Sequence, residues 1–265
     1  MHMKHWLWIF LSCTGSVSAS AQTADSSKTG YHFSGSAMIT NNGISLVPNF
    51  SLNRPAAIFL LSFGGKRFSV DPDIRFSLDA KPWTMLFWGR YQVVTKEKFR
   101  LRAGAHLGLN FQINPLPVDG KPQDLNVVRR YLGVEWVPVY SLSPRFRVGA
   151  YYLYARLYAR GLDPGTVGNT HFVSLNAELN AVSMSKWLSL AISPQIYYLN
   201  QDSLSGAYLT LHVQIEMNSF PLSLSSMWNQ KLHTQIAGKS PIWNLGLVYT
   251  FYKTLSTTPE RVHLK

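Results

Sequence analysis

Residues 99–111 read FRLRAGAHLGLNF, and every second side chain is apolar. Phe99, Leu101, Ala103, Ala105, Leu107, Leu109 and Phe111 alternate with Arg100, Arg102, Gly104, His106, Gly108 and Asn110. A period of two with one apolar face belongs to a strand whose two sides meet different media. The pattern recurs. Val173, Leu175, Ala177, Leu179 and Ala181 alternate with polar neighbours, as do Leu209, Leu211, Val213, Ile215 and Met217, and Trp243, Leu245, Leu247, Tyr249 and Phe251. No long helical period and no domain linker is visible. No run of 18 or more apolar residues follows the N-terminus, so a helical span is not expected.

Strand length narrows the fold further. Residues 82–94, 98–111, 126–139, 143–160, 169–183 and 187–200 each exceed the five or six residues usual in a soluble sheet and suit the roughly 9 to 11 residues of a tilted bilayer-crossing strand. Short turns at 95–97, 141–144, 184–186 and 218–219 alternate with longer connections near 112–125, 161–168, 201–205 and 229–241. Outer-membrane barrels have this asymmetry, with short periplasmic turns and longer outer loops. Three further strands, 31–52 with an irregularity at Asn41-Asn42-Gly43, 56–64 and 67–79, complete the set. The expected fold is all-β: a transmembrane antiparallel β-barrel of about twelve strands. The irregular first segment leaves 10 or 14 as alternatives.

Composition agrees. Charged residues are 14% of the chain, against roughly 25% in a typical soluble domain. Aromatics are 13%. Trp83, Trp88, Tyr91, Trp136, Tyr140, Trp187, Tyr197, Tyr198, Trp228, Trp243, Tyr249 and Phe251 lie mostly near expected strand ends, where amphipathic rings suit the headgroup region.

The N-terminus has Lys4, an apolar core from Trp6 to Leu11, and Ala19-Ser20-Ala21 as a small-x-small cleavage site. The expected organisation is a signal peptide at 1–21, a periplasmic N-terminal segment at 22–30, the barrel at 31–253 and a periplasmic tail at 254–265. Cys13 is the only cysteine, so cleavage after Ala21 leaves no disulfide and no thiolate chemistry.

With the apolar set facing lipid, the intervening set faces the lumen. Arg75, Arg90, Arg100, Arg102, His106, Arg129, Glu135, Arg147, Glu178, His212 and Glu216 are the expected lumen-lining residues. An arginine facing lipid costs about 2–4 kcal/mol at the midplane, which explains the sorting without any appeal to function. One strand resists: Arg145 and Arg147 have odd parity, whereas Arg156 and Arg160 have even. Either a bulge near Tyr151-Tyr152 shifts the register, or the far half of the strand projects beyond the membrane; the strand's length favours projection.

The chemistry open to such a lumen is limited. His106 and His212 are possible bases and several serines are present, but parity turns them inward, whereas a lipid hydrolase needs a histidine–serine pair near the outer leaflet. No His-Glu-x-x-His spacing marks a metal site, and no cofactor motif is present. The formal charge of +12 is interleaved with apolar strand residues and forms no basic helix or finger, so nucleic acid is not an expected partner. The expected partners are outer-membrane lipid, the barrel-assembly machinery and small anionic solutes drawn by the lumen arginines.

The Ala19-Ser20-Ala21-Gln22 junction, the alternating strands up to Phe251 and the segment GGKRFSVDPDIRFSLDAKPW (64–83) resemble the outer-membrane β-barrel proteins of Bacteroidetes-type Gram-negative bacteria. The resemblance covers most of the chain and implies a barrel in the bacterial outer membrane, without a named activity. It departs at the end: such barrels often finish on an aromatic residue read by the insertion machinery, whereas this sequence runs on beyond Tyr252. The leading functional expectation is a small porin-like channel or transporter. The alternatives are a non-transporting structural or adhesive barrel and, third, a lipid-active hydrolase. A wide wet lumen favours the first, and a lumen closed by arginine–carboxylate pairs the second.

Overall fold

The computed structural model describes residues 30–118, 121–159 and 166–256, together with a separate pairing of Trp8–Ile9 with Val17–Ser18. The expected signal peptide apart from those four residues, most of the expected 22–30 segment and the end of the expected tail lie outside the described residues.

Twelve strands close into one antiparallel barrel. They are β1 (Gly30–Thr40), β2 (Ala56–Gly64), β3 (Phe68–Ser77), β4 (Pro82–Thr95), β5 (Phe99–Val118), β6 (Lys121–Ser141), β7 (Phe146–Ala159), β8 (Asn169–Ser183), β9 (Leu188–Gln201), β10 (Leu204–Met217), β11 (Leu222–Thr234) and β12 (Ile242–Ser256). Each pairs with its chain neighbours, and β12 closes the ring on β1 from Gly246↔Thr40 to Ser256↔Gly30. Closure leaves no unpaired sheet edge, which is what allows a sheet to sit in hydrocarbon.

The two ends differ. Connections 65–67, 96–98, 142–145, 184–187 and 218–221 lie with both barrel termini at one end. Connections 41–55, 78–81, 166–168, 202–203 and 235–241 lie at the other, called here the loop end. Several expected boundaries move. Residues 112–125 are largely strand, because β5 and β6 continue as a paired hairpin from Phe99↔Tyr140 to Val118↔Lys121. The connection near 201–205 shrinks to a tight turn, and β11 runs on to Thr234.

The first segment departs most from expectation. Strand structure stops at Thr40, and residues 43–52 are not strand. They carry the 3-10 turn Pro48–Phe50, and Ile44, Leu46 and Val47 are buried. An alternating β-pairing cannot accommodate Ile44, Leu46 and Val47 on one side with Pro48 following, since Pro48 has no N–H to offer a ladder.

The outer wall is apolar: Leu107, Leu132, Leu175, Ile196, Leu209 and Leu247 are all exposed. Exposed aromatics include Tyr91, Trp136, Tyr140, Trp187, Tyr198, Trp228, Trp243, Tyr249 and Tyr252. Three rings expected in this belt are instead inside. Trp83, Trp88 and Tyr197 are buried. Trp88 shares the parity of Arg90 and follows it inward. Trp83 has the opposite parity, but Arg75 pairs with Thr84 and Phe76 with Pro82, so Trp83 is the extra residue of a bulge, which re-aims its side chain.

The parity conflict on β7 is also settled. Pairing with β8 runs unbroken from Asn169↔Arg156 to Leu179↔Phe146, so no bulge lies at Tyr151-Tyr152. Arg147 and Tyr151 turn inward, and Arg156 is exposed on the outer face near the loop end. Arg160 lies outside the described residues.

Candidate functional site

The interior is the candidate site, and it is built in two parts. The first is a closure at the loop end. Residues 43–54 fold back on themselves: Gly43 N–H donates to the Arg54 carbonyl at 2.8 Å, Leu52 N–H to the Gly43 carbonyl at 2.8 Å, and Ser45 N–H to Ser51 Oγ at 2.9 Å. A loop whose ends meet and whose own side chains pack it is a compact Ω-type unit. Gly43 is needed at its neck, because a Cβ there would stand 3.0 Å from Leu52 and from the Trp83 ring and 3.1 Å from Ala56.

This loop turns its apolar side chains into the barrel mouth. Ile44, Leu46 and Val47 pack in one buried cluster with Val137, Tyr151, Phe172, Tyr197, Tyr208, Met227 and Ile242 from the wall, and with Ile236 from the neighbouring connection. Each fully buried aliphatic side chain is worth about 1.5–3 kcal/mol relative to exposure. Two further contacts fasten it. Trp83 Nε1 donates to the Phe50 carbonyl at 2.7 Å, and the Phe50 ring lies 5.6 Å from that of Tyr131. Beneath the loop is a cavity of about 100 Å³, lined by Leu46, Val47, Phe50, Trp88, His106 and Tyr131 among others.

The second part is a charge network deeper in the bore. Glu135 accepts from Arg90 Nε at 2.9 Å and from Arg102 Nε at 3.0 Å. Arg90 also donates to Asp71 at 3.0 Å, and Asp71 accepts from Ser62 Oγ at 2.7 Å and Ser69 Oγ at 3.1 Å. The Arg90 guanidinium lies 4.5 Å from the centre of the Trp88 ring, and His106 packs on the same ring at 4.1 Å. Arg75 grips Asp73 with two nitrogens, at 2.7 and 2.6 Å, and sits 5.3 Å from the Trp83 ring. Arg147 pairs with Glu178 at 2.9 Å. Such forked, charge-assisted bonds are the strong ones, and they satisfy charges that burial would otherwise penalise.

The expected lumen residues fall as follows. Arg75, Arg90, Arg102, His106, Glu135, Glu178 and His212 are buried, and Arg100, Arg129, Arg147 and Glu216 are partly buried. Arg90, Arg102 and Glu135 come together in one network, and Arg147 meets Glu178. His106 and His212 are not brought into a shared site: His106 packs at a tilt on Trp88, and His212 Nε2 bonds Ser225 Oγ at 2.8 Å. That histidine–serine pair is buried in the interior, not exposed on the outer face. Around it stand Gln214 with Ser223 and Gln195 with Ser174, hydrogen-bonded at 2.8 and 2.6 Å. Sequence reading missed Asp71, Trp83, Trp88 and the 43–54 loop as interior parts. Parity with Asp73 and Arg90 marks Asp71 and Trp88; no periodic signal marks the other two.

No protein-family model and no curated protein matches the sequence. Solved structures do match. The KdgM porin in complex with disordered oligogalacturonate aligns with a TM-score of 0.50 at 8% identity, over 83% of this chain and 99% of that one. The NanC porin aligns with a TM-score of 0.47 at 9% identity, over 85% and 100%. The beta domain of the Bordetella autotransporter BrkA aligns with a TM-score of 0.45 at 9% identity, over 84% and 99%. The fold, a closed twelve-stranded antiparallel barrel, is similar to that of the KdgM porin. At these identities the likeness shows the fold alone.

Proposed function

We propose that the protein is a small outer-membrane channel, closed in the conformation described, whose gate is the 43–54 loop. The observation that carries this reading is that the occluding element is one self-bonded loop. Its hydrogen bonds are mainly internal, and its hold on the wall is apolar packing, the Trp83–Phe50 bond and the exposed Arg54–Asp79 pair at its neck. A unit of that kind moves as a body without breaking the strand ladder. Beyond it the bore is lined by arginine, carboxylate, amide and hydroxyl groups, which suit small polar solutes, and an anionic preference follows from the arginines. In this reading the chain is secreted by cleavage after Ala21, inserted by the barrel-assembly machinery of a Bacteroidetes-type outer membrane, and oriented with both barrel termini in the periplasm.

Planar-bilayer recording tests it. The wild-type barrel is expected to open rarely. A variant with residues 44–52 replaced by a short Gly/Ser linker is expected to conduct steadily, with a reversal potential favouring chloride over potassium. A loop-replaced barrel that keeps heat-modifiable gel migration yet passes no current would sink the channel reading.

A second reading has its own support. Arg75, Arg90, Arg102 and Arg147 all pair with carboxylates. A bore filled with paired charges fits a non-transporting barrel that meets partners through its loops, and the silent loop-replaced barrel is the outcome it expects.

A further inference from the structure

The outer face carries basic groups where contact with hydrocarbon would not favour them. On β7, Tyr152, Arg156 and Tyr158 are exposed. Arg156 pairs across to Leu132 on β6, and Arg130, also exposed, lies two residues further along the same strand. The two arginines are therefore diagonal neighbours on one face, with Cα atoms roughly 7–8 Å apart by strand geometry. Tyr158 is the extra residue of the bulge between Arg130 and Tyr131, which pushes its ring outward beside them. On β8, exposed His171 bonds the Tyr152 hydroxyl at 3.0 Å and packs on Tyr154 with ring centres 4.8 Å apart.

The height of this cluster is set by strand length. Arg130 lies about 11 residues from the turn end of β6 and Arg156 about 10 from that of β7, close to one bilayer-crossing length for a tilted strand. Level with Arg156 and one row toward mid-wall, Phe87, Leu107 and Leu132, then Ala105 and Val134, line with Arg156 and Tyr158 an open, mainly apolar groove of about 760 Å³. Ala105 adds little volume where larger residues flank it, and this keeps the groove deep. A groove of hydrocarbon-chain dimensions with the Arg156 guanidinium in its lining, and Arg130 diagonal to it, has the complement of an acyl chain ending in a phosphate: guanidinium forks match phosphate oxygens, and arginine at this depth costs only about 0–1 kcal/mol.

We infer that this face binds one phosphorylated glycolipid of the outer leaflet, with its phosphate on Arg130 and Arg156, His171 beside them, and one acyl chain in the groove. The inference rests on the membrane orientation given under the proposed function, but not on conduction.

The folded full-length barrel, purified in non-ionic detergent, is incubated with bisphosphorylated hexa-acylated lipid A, with its dephosphorylated form and with phosphatidylglycerol, and bound lipid is counted by native mass spectrometry. One lipid A per barrel is expected, with at least tenfold weaker retention of the other two. The R130Q/R156Q variant should lose at least tenfold in lipid A affinity, and A105F, which fills the groove, should lose affinity while leaving both arginines in place. Heat-modifiable migration of each variant separates loss of the site from loss of the fold, and flotation of wild type with vesicles tests the membrane placement separately. Equal retention by wild type and R130Q/R156Q overturns the site. Equal binding of phosphatidylglycerol overturns the choice of glycolipid.

Discussion

The indole N–H of Trp83 meets the carbonyl of Phe50 at 2.7 Å, and this bond ties the barrel wall to the loop that closes its mouth. Trp83 is itself buried, so the bond is shielded from water. Trp83→Phe keeps most of the ring and removes the donor. It leaves a carbonyl without its partner, a loss of about 1–3 kcal/mol where the group stays buried. Single-channel recording should show more frequent openings of unchanged size. An unchanged opening frequency would mean that the loop is held by packing alone.

Glu135 carries two arginines. Its Oε1 accepts from both Arg90 and Arg102 while the residue is 1% exposed. Glu135→Gln removes the buried carboxylate charge that both arginines share, whereas Arg90 retains Asp71. Breaking one side of a buried ion pair costs about 3–5 kcal/mol. Urea unfolding in lipid vesicles should show that loss. Asp79→Asn, at an exposed pair, should leave the same measurement nearly unchanged.

Gly133 and His106 share a space that a methyl group would fill. A Cβ at Gly133 would stand 2.2 Å from His106 Nε2, and the ring is pinned against Trp88 on its other side. Gly133→Ala should therefore destabilise the barrel by about 1–3 kcal/mol through overpacking. The His106→Ala, Gly133→Ala double variant should recover part of the loss. Purely additive effects in that cycle would show that the ring moves aside freely.

Asp79 offers a pH test of the gate. It lies in the turn between β3 and β4, bonds the Ser77 hydroxyl, and faces Lys81 at 3.4 Å and Arg54, at the neck of the loop, at 3.9 Å. The Ser77 hydrogen bond, helped by Lys81 and Arg54, holds its carboxyl below the ordinary carboxylate range. The link to Arg54 is thus intact above that range and is lost as pH falls through the depressed value in the folded protein. Openings should become more frequent in strong acid, and Asp79→Asn should show the raised frequency at neutral pH. A wild-type frequency flat across the acid limb would remove Asp79 from the gate.

The lipid face can be probed at Leu175, which is 62% exposed midway along β8. Leu175→Arg should cost about 2–4 kcal/mol in a bilayer, measured by urea unfolding in vesicles. Asn176→Ser, on the opposite face, should be far milder. Equal effects would place water on both sides of the wall.

The sequence by itself determined the two-faced strands and an all-β barrel of about twelve of them, with 10 and 14 left open by the first segment, and it sorted the charges by parity. These follow from a period of two and from the cost of placing charge in hydrocarbon, both local properties legible along the chain. The pairing of Arg90 and Arg102 on Glu135 was not legible, because it depends on how three strands align after closure. Trp83 was misplaced because one extra residue on β4 reverses parity at that point alone. The 43–54 loop was hidden for a related reason. Its apolar residues have no period, and only a closed barrel provides an interior for them to fill. Tertiary structure therefore decided whether the bore is open: a strand's pattern fixes which side chains enter the barrel, but the space left among them is set by all twelve walls and the loop together.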